Sequence, residues 1–480
     1  MDLGKIISRG KLSRRSRITL ATFAAIAIAT LAACKREKPA ESTGSTPVPS
    51  LRQIQDSAPL SANDVSWLFP APSNAADLAN LIRVRDIVPV SSDPAKPADP
   101  VWSDSAFKQF QDIVNGPAAI VSEAKTQISL PAEARSADNW FVAGVRIDAG
   151  APGLTGDIQA QYGRLPEIRL IIQPIGKNAD GSPKVFDIAA HLIFDFIDLP
   201  KTQPSASGQP NCFPRPVPAG DAFSAVVADA AALRTKLNNG QLAGQAISTV
   251  AVPLGVHPGL ANPATRNAVR NEMFAVLKKN LSSQRLGSMA IAALPDGKPA
   301  PWIFLSILGD HQGHFGPAHG PTLDGTDKQF AQLLTPAGSP VRVIPDPHTN
   351  NLNPITCKNA AVSAASLPVA ERKGVATSAA FANPAPSDDQ VKQILDTIGN
   401  VDRSFFFNTD CVSCHTETRL AMDVLKVNAV PGIDSAVLPG GKWDVRNFGW
   451  GDTAKGMQPT VTRRAANETA AVVTFINSHR

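Results

Sequence analysis

Two hydrophobic patterns organise most of the chain. Between residues 65 and 308, short runs rich in branched and aromatic side chains alternate with stretches that repeat apolar residues at helical spacing. The runs predict strands over residues 65–69, 141–147, 168–175 and 185–196. The helical spacing predicts helices over residues 75–82, 106–114, 221–237 and 266–281.

A hairpin indicates how these strands pair. Residues 289–294 and 302–308 have strand patterns and flank a Pro-Asp-Gly-Lys-Pro segment, which has the composition of a turn. We therefore expect an α+β domain with a largely antiparallel sheet over residues 63–358. No nucleotide-binding glycine motif and no internal repeat occurs in it.

The pattern changes in the last hundred residues. A Pro/Ala/Ser-rich linker, residues 359–386, precedes a capping sequence at Ser387 and apolar residues at 391, 394, 395 and 398 that share one helical face. Gly399 is a typical helix stop. Residues 467–478 predict a second amphipathic helix, so we expect a small all-α domain over residues 387–480.

The first 33 residues are typical of an export signal. Six basic side chains precede an uncharged apolar run, residues 18–33, that is short for a membrane span. The run ends in Leu-Ala-Ala before Cys34, which resembles the lipobox of bacterial lipoproteins and implies lipidation of Cys34. The alternative is a plain secretory signal with an incidental cysteine. By the same resemblance, Lys35 favours the outer membrane.

Removal of this segment changes the charge and adds a tether. The full chain has a formal net charge of +5, all of it carried by the six bases and one acid of residues 1–33. The remaining chain is formally neutral, which argues against a nucleic-acid partner. Residues 34–62, rich in Pro, Ser, Thr and Ala, predict a flexible tether, so membrane attachment would come through lipid.

The most specific chemical signal is a C-x-x-C-H motif formed by Cys411, Cys414 and His415. Two thiols at this spacing can each form a thioether to haem, and the next residue can place its imidazole on the iron. The alternatives are a structural disulfide, a dithiol redox pair and half of a zinc site. Zinc is the weakest, because no second C-x-x-C follows.

The region from about residue 387 to 480 resembles the single-haem, class I cytochrome c family. A helix, the C-x-x-C-H motif, a loop-rich middle, a methionine and a final helix follow each other in the family's order. The resemblance implies one covalent haem c, with Cys411 and Cys414 as thioether attachments, His415 as proximal ligand and Met457 as distal ligand. Met422, His479 and an open sixth position are the other distal alternatives.

Two further cysteines and a histidine cluster complete the candidate chemistry. In an oxidising compartment, Cys212 and Cys357 are expected to form a disulfide, the alternative being two buried thiols. His311, His314 and His319 lie in or near a Gly-rich loop, where they form a hypothetical zinc or copper site or simply an exposed polar loop. Two other histidines, His191 in an apolar strand and His257 beside a proline, are interpreted as structural.

Together these features predict a lipid-anchored c-type cytochrome that faces the periplasm and exchanges single electrons with a redox partner protein. One alternative is an oxidoreductase or substrate-binding protein whose large domain is served by the haem domain. The other is a haem-free protein that uses Cys411 and Cys414 for thiol-disulfide exchange.

Overall fold

A computed structural model describes the chain between residues 59 and 479, with gaps. The described residues are 59–91, 98–116, 127–151, 153–155, 165–203, 215–218, 220–242, 244–294, 302–317, 319–321, 327–329, 331–336, 341–345, 388–402, 404, 411–440, 444–453 and 456–479. The predicted signal, the first part of the tether, the linker and three of the cysteines, Cys34, Cys212 and Cys357, lie outside them.

Helices occur at intervals through the described residues. They are α1 (Ala62–Val65), α2 (Ala75–Ala79), α3 (Asp104–Val114), α4 (Gly220–Asn238), α5 (Pro258–Ala261), α6 (Arg266–Asn280), α7 (Asp388–Gly399), α8 (Cys411–Leu425) and α9 (Arg463–Ser478). The predicted helices over residues 221–237 and 266–281 are confirmed as α4 and α6. The helix predicted after Ser387 is confirmed as α7.

Antiparallel strands form one large sheet and three small ones. The strands are β1 (Ser66–Leu68), β2 (Trp140–Ala151), β3 (Leu165–Lys177), β4 (Pro183–Val185), β5 (Ala189–Asp195), β6 (Ile197–Gln203), β7 (Arg215–Pro218), β8 (Leu286–Ala293), β9 (Trp302–Gly309), β10 (Phe315–Pro317), β11 (His319–Pro321), β12 (Asp327–Gln329), β13 (Ala331–Pro336), β14 (Val341–Pro345), β15 (Phe448–Thr453) and β16 (Gly456–Val461). The large sheet has the order β1-β2-β3-β5-β8-β9-β13-β14, with β4 on β3 and β10 on β9.

The expected α+β class and the antiparallel hairpin are confirmed: β8 pairs with β9 in antiparallel register. The single strand predicted over residues 185–196 is instead two strands. β4 and β5 both pair with β3, and the chain bends between them at Asp187. The bend lets the carboxylate of Asp187 leave the sheet and reach Arg446, 3.0 Å away.

The two faces of the large sheet differ in chemistry. Side chains alternate between faces along each strand, and paired residues share a face. On the first face Leu170, Leu192 and Met289 align across three strands and are at most 1% exposed. They belong to a hydrophobic cluster that includes the buried residues of α4 and α6. The second face carries charged side chains and imidazoles.

The C-terminal elements meet this second face. Arg146 of β2 forms an ion pair with Glu468 of α9, with 2.7 Å between Nη1 and Oε2. The C-terminal region also contains the hairpin of β15 and β16, so the expectation of an all-α arrangement differs from the structure. The extended conformation is favoured because it places alternate residues of β15, Phe448 and Trp450, in the core.

The described residues belong to one compact unit, and the main hydrophobic cluster joins the sheet to the C-terminal elements. Trp450 is the central contact. Its Nε1 donates to the carbonyl of Phe69 at 2.9 Å, and its backbone N–H and C=O both bond to the side-chain amide of Gln173. Among the described helices, none is long and apolar enough to span a bilayer.

Replacement of Trp450 by Ala tests this shared core. We expect Trp450→Ala to lower the free energy of unfolding by about 3–5 kcal/mol, because it leaves a large cavity and unpairs a carbonyl. Val90→Ala is the matched control, since Val90 is 76% exposed; it should stay within about 0.5 kcal/mol of the parent. Denaturant unfolding followed by circular dichroism measures both, and equal stability of the two variants would contradict a shared core.

Candidate functional site

Helix α8 begins at Cys411, so the C-x-x-C-H motif forms its first turn. The side chain of Cys411 lies outside the described residues. Cys414 is half-buried and packs against a second hydrophobic cluster, which includes Trp302 and Phe304 of β9. The motif therefore lies against the second face of the large sheet.

The imidazole of His415 is held by one hydrogen bond. Its Nδ1 lies 2.7 Å from the carbonyl oxygen of Val445. A carbonyl can only accept, so Nδ1 carries the proton and donates it. Nε2 therefore keeps its lone pair, and no hydrogen bond to it is found among the described residues. This is the arrangement in which a histidine binds a metal through Nε2 while its other nitrogen is held by a backbone carbonyl.

The segment that presents the Val445 carbonyl is itself fixed from both sides. The carboxylate of Asp444 accepts from the backbone N–H of Arg446 at 3.1 Å and from the hydroxyl of Thr460 at 2.9 Å. The guanidinium of Arg446 bonds Asp187 and lies 4.9 Å from the ring centre of Trp302. The large sheet therefore determines where this carbonyl lies.

Burial keeps His415 neutral. It lowers the pKa of this imidazole to about 4, against the raising effect of the Val445 hydrogen bond and with help from the positive charges of Arg446 and Arg169. A neutral imidazole is the form that binds a metal.

A second imidazole approaches from the sheet. His191 of β5 lies on the second face, paired with Ile171 of β3 and Ala290 of β8. Its ring centre is 6.4 Å from that of His415, and the planes are inclined by 41°. Phe304 packs against His415 from β9, with ring centres 5.0 Å apart. Burial, followed by the charge of Arg169, lowers the pKa of His191 well below its usual value.

A row of charges lies beside these imidazoles on the same face. Glu468 accepts ion pairs from Arg146 and Arg464, each at 2.7 Å. Burial alone would raise the pKa of the Glu468 carboxyl, but the neighbouring arginines outweigh it, and the pKa lies well below its usual value. Glu167 pairs with Arg169 at 2.6 Å. Burial, reinforced by nearby carboxylates, raises the pKa of Glu167 to about 7 in spite of Arg169.

Arg463 joins the three C-terminal helices. From the start of α9 it bonds Glu417 of α8 and Asp396 of α7, the latter at 2.7 Å. It also donates to the carbonyl of Leu395 at the same distance. This contact sets the position of α8, and with it the position of His415.

The predicted distal candidates lie in different surroundings. Met457 is on strand β16, opposite Asp452, and packs against the main hydrophobic cluster. Met422 lies farther along α8 and packs against the same cluster. His479 is exposed at the end of α9, where its ring stacks on Phe475. The assignment of Met457 as distal ligand stays a prediction.

The predicted histidine cluster is divided between two carboxylates. His311 turns to Asp195, 3.2 Å from its Nε2, whereas His314 bonds Asp310 at 2.9 Å and is exposed. The side chain of His319 lies outside the described residues. Within the described part of the chain, no three metal-binding side chains lie close enough to hold an ion. The hypothesis of a site with all three histidines stays a prediction.

Compared with known proteins, the chain matches no family model, no curated protein and no solved structure.

Sequence patterns did not indicate that His191 and the Val445 carbonyl would lie beside His415. His191 is an isolated polar residue in an apolar strand, a pattern that favours a structural interpretation. Strand alternation predicts that His191 and Leu192 lie on opposite faces, but not the register that puts Arg169 and Glu167 on the face of His191, nor what covers that face. A backbone carbonyl has no signature in sequence at all.

The charge row predicts opposite pH effects for two substitutions. The contribution of Glu468 is present above its unfolded pKa of about 4.5 and is lost at lower pH, because its folded pKa is depressed. Glu468→Gln should cost about 3 kcal/mol at pH 7, and the difference from the parent should shrink as pH falls below about 4.5.

Glu167→Gln is the comparison variant, and its stability should change with pH in the opposite direction. The folded pKa of Glu167 is raised to about 7, so the parent loses stability as pH rises from about 4.5 to that value. The variant should therefore gain stability relative to the parent over that interval. Denaturant unfolding at a series of pH values measures both, and parallel profiles for parent and variants would refute the electrostatic assignment.

Proposed function

We propose that this protein is a lipid-anchored, periplasm-facing c-type cytochrome that binds one covalent haem and transfers single electrons. The observation that carries this proposal is the hydrogen bond from His415 to the Val445 carbonyl. This bond leaves Nε2 of His415 unprotonated, with its lone pair available. The proximal ligand of a haem needs such a nitrogen, and His415 directly follows Cys414.

The surroundings of the motif suit the same group. Trp302 and Phe304 supply an apolar wall beside Cys414. The guanidinium of Arg446 is engaged by Asp187 and by the ring of Trp302, so its role at the motif is to position the Val445 carbonyl. When bound, haem supplies iron that alternates between ferric and ferrous states, and the chain supplies ligands, burial and a surface for a redox partner protein.

One observation favours a second candidate. The motif lies at the start of α8, and a helix N-terminus lowers the pKa of a thiol and activates it for disulfide exchange. In that haem-free protein, the hydrogen bond that orients His415 would have no chemical role. The two candidates differ in whether the protein carries covalent iron porphyrin.

Haem attachment is tested on mature protein from a host that has the attachment machinery. We expect a pyridine haemochrome spectrum typical of thioether-linked haem, and a haem-stained band after denaturing electrophoresis. Cys411→Ala combined with Cys414→Ala should lose the stained band, because no thioether can form. Cys212→Ala, which removes a cysteine outside the motif, is the control and should keep it. Parent protein without haem but with a readily titrated dithiol would favour the thiol candidate.

Lipidation of Cys34 predicts membrane attachment through this residue alone. Parent protein should partition into the detergent phase and incorporate labelled fatty acid, because acyl chains supply the membrane affinity. Cys34→Ser should move to the aqueous phase and lose the label, whereas Cys357→Ser should behave like the parent. Detergent partitioning that survives Cys34→Ser would contradict this anchor.

A further inference from the structure

His191 and His415 come from distant parts of the chain and meet on the second face of the large sheet. Their ring centres are 6.4 Å apart. Both imidazoles lie within the described residues, and no hydrogen bond joins them. The two rings are therefore close to each other without a direct hydrogen bond.

The spacing suits two ligands of one metal ion. An imidazole nitrogen binds a first-row metal at about 2 Å, which puts each ring centre about 3 Å from the ion and two opposite ring centres about 6 Å apart. The observed separation of 6.4 Å agrees with this value. Packed aromatic rings also lie about 4.5–7 Å apart, and Phe107 and Phe110 lie 6.4 Å apart in this structure, so the separation is compatible with a shared ion but does not by itself require one.

The imidazole nitrogens of His191 are available to a ligand. No hydrogen bond to this imidazole is found among the described residues, and His191 is half-buried rather than enclosed.

The neighbours of His191 on its face of the sheet are larger on one side than on the other. Ile171 of β3 is paired with it on one side, whereas Ala290 of β8 is paired with it on the other and Ser306 of β9 follows. Ala290 is half-buried. The imidazole of His415, at the start of α8, lies over this face, with its ring centre 6.4 Å from that of His191.

We infer that His191 is the second axial ligand of the haem iron, opposite His415. This inference rests on the covalent haem proposed above and assigns its sixth position. Met457, which the cytochrome resemblance placed there, then has a packing role in the hairpin of β15 and β16. An imidazole in place of a methionine thioether lowers the reduction potential, because methionine ligation raises it.

The test uses the full mature holoprotein and needs no mutation for its first result. Ferric parent protein should be low-spin by electron paramagnetic resonance and should lack the weak near-infrared Met–iron band. His191→Ala should convert the ferric iron to high-spin, and added imidazole should restore the low-spin signal. His191→Met should create a Met–iron band. Met457→Ala is the matched control and should leave all these spectra unchanged.

Haem content separates this inference from the proposed function. A pyridine haemochrome assay should give the same haem per chain in the parent and in both His191 variants, because the thioethers and His415 are intact. A Met–iron band in the parent that disappears in Met457→Ala would overturn the assignment of His191 while leaving the cytochrome in place. The same holds if His191→Ala stays low-spin without imidazole. Parent protein without haem would overturn both proposals.

Discussion

The hydrogen bond between His415 and the Val445 carbonyl is the contact on which the site depends. It occupies Nδ1 of the imidazole and leaves Nε2 free, and the free nitrogen determines what the motif can bind. The carbonyl is held by Asp444 and Arg446, and Arg446 is held by Asp187 at the bend between β4 and β5. The chemistry of a five-residue motif near the C-terminus is thus set by a sheet formed from a much earlier part of the chain.

The second face of that sheet is costly to bury, and this limits what can cover it. Removing either partner of a buried ion pair leaves an uncompensated charge, so Arg146, Arg464 and Glu468 stabilise the fold only as a set. Apolar residues of a covering element would leave these charges unpaired. Helix α9 suits the face because its Glu468 meets Arg146 where the helix crosses β2. Charges fixed so near the two imidazoles would also influence the potential of an iron between them.

Local sequence patterns predicted those elements whose signals are local. Helix α7 follows from its apolar spacing and from Gly399 at its end, and the pairing of β8 with β9 follows from the turn between them. The hairpin of β15 and β16 was missed because Gly449, Gly456 and Pro459 give it the composition of a loop. Gly449 has a φ of 141°, a conformation that few other residues adopt, so the glycine is part of the strand geometry. Within the site, the C-x-x-C-H motif was predictable from sequence. The positions of His191, Val445 and Asp187 were not, because they depend on how distant segments pair and pack.

The division of the site between distant segments has an energetic consequence. A group that binds both His191 and His415 joins β5 to α8, and its binding free energy adds to the stability of the folded state because the unfolded chain does not present the two imidazoles together. The shared hydrophobic cluster around Trp450 already makes the sheet and the C-terminal elements one unit. In this interpretation iron ligation, rather than haem attachment, is coupled to folding: the thioethers can form on an open chain, whereas ligation by His191 would need the finished sheet. In such a cytochrome, unfolding of the large sheet would remove His191 from the iron, and the spin state of the iron would change.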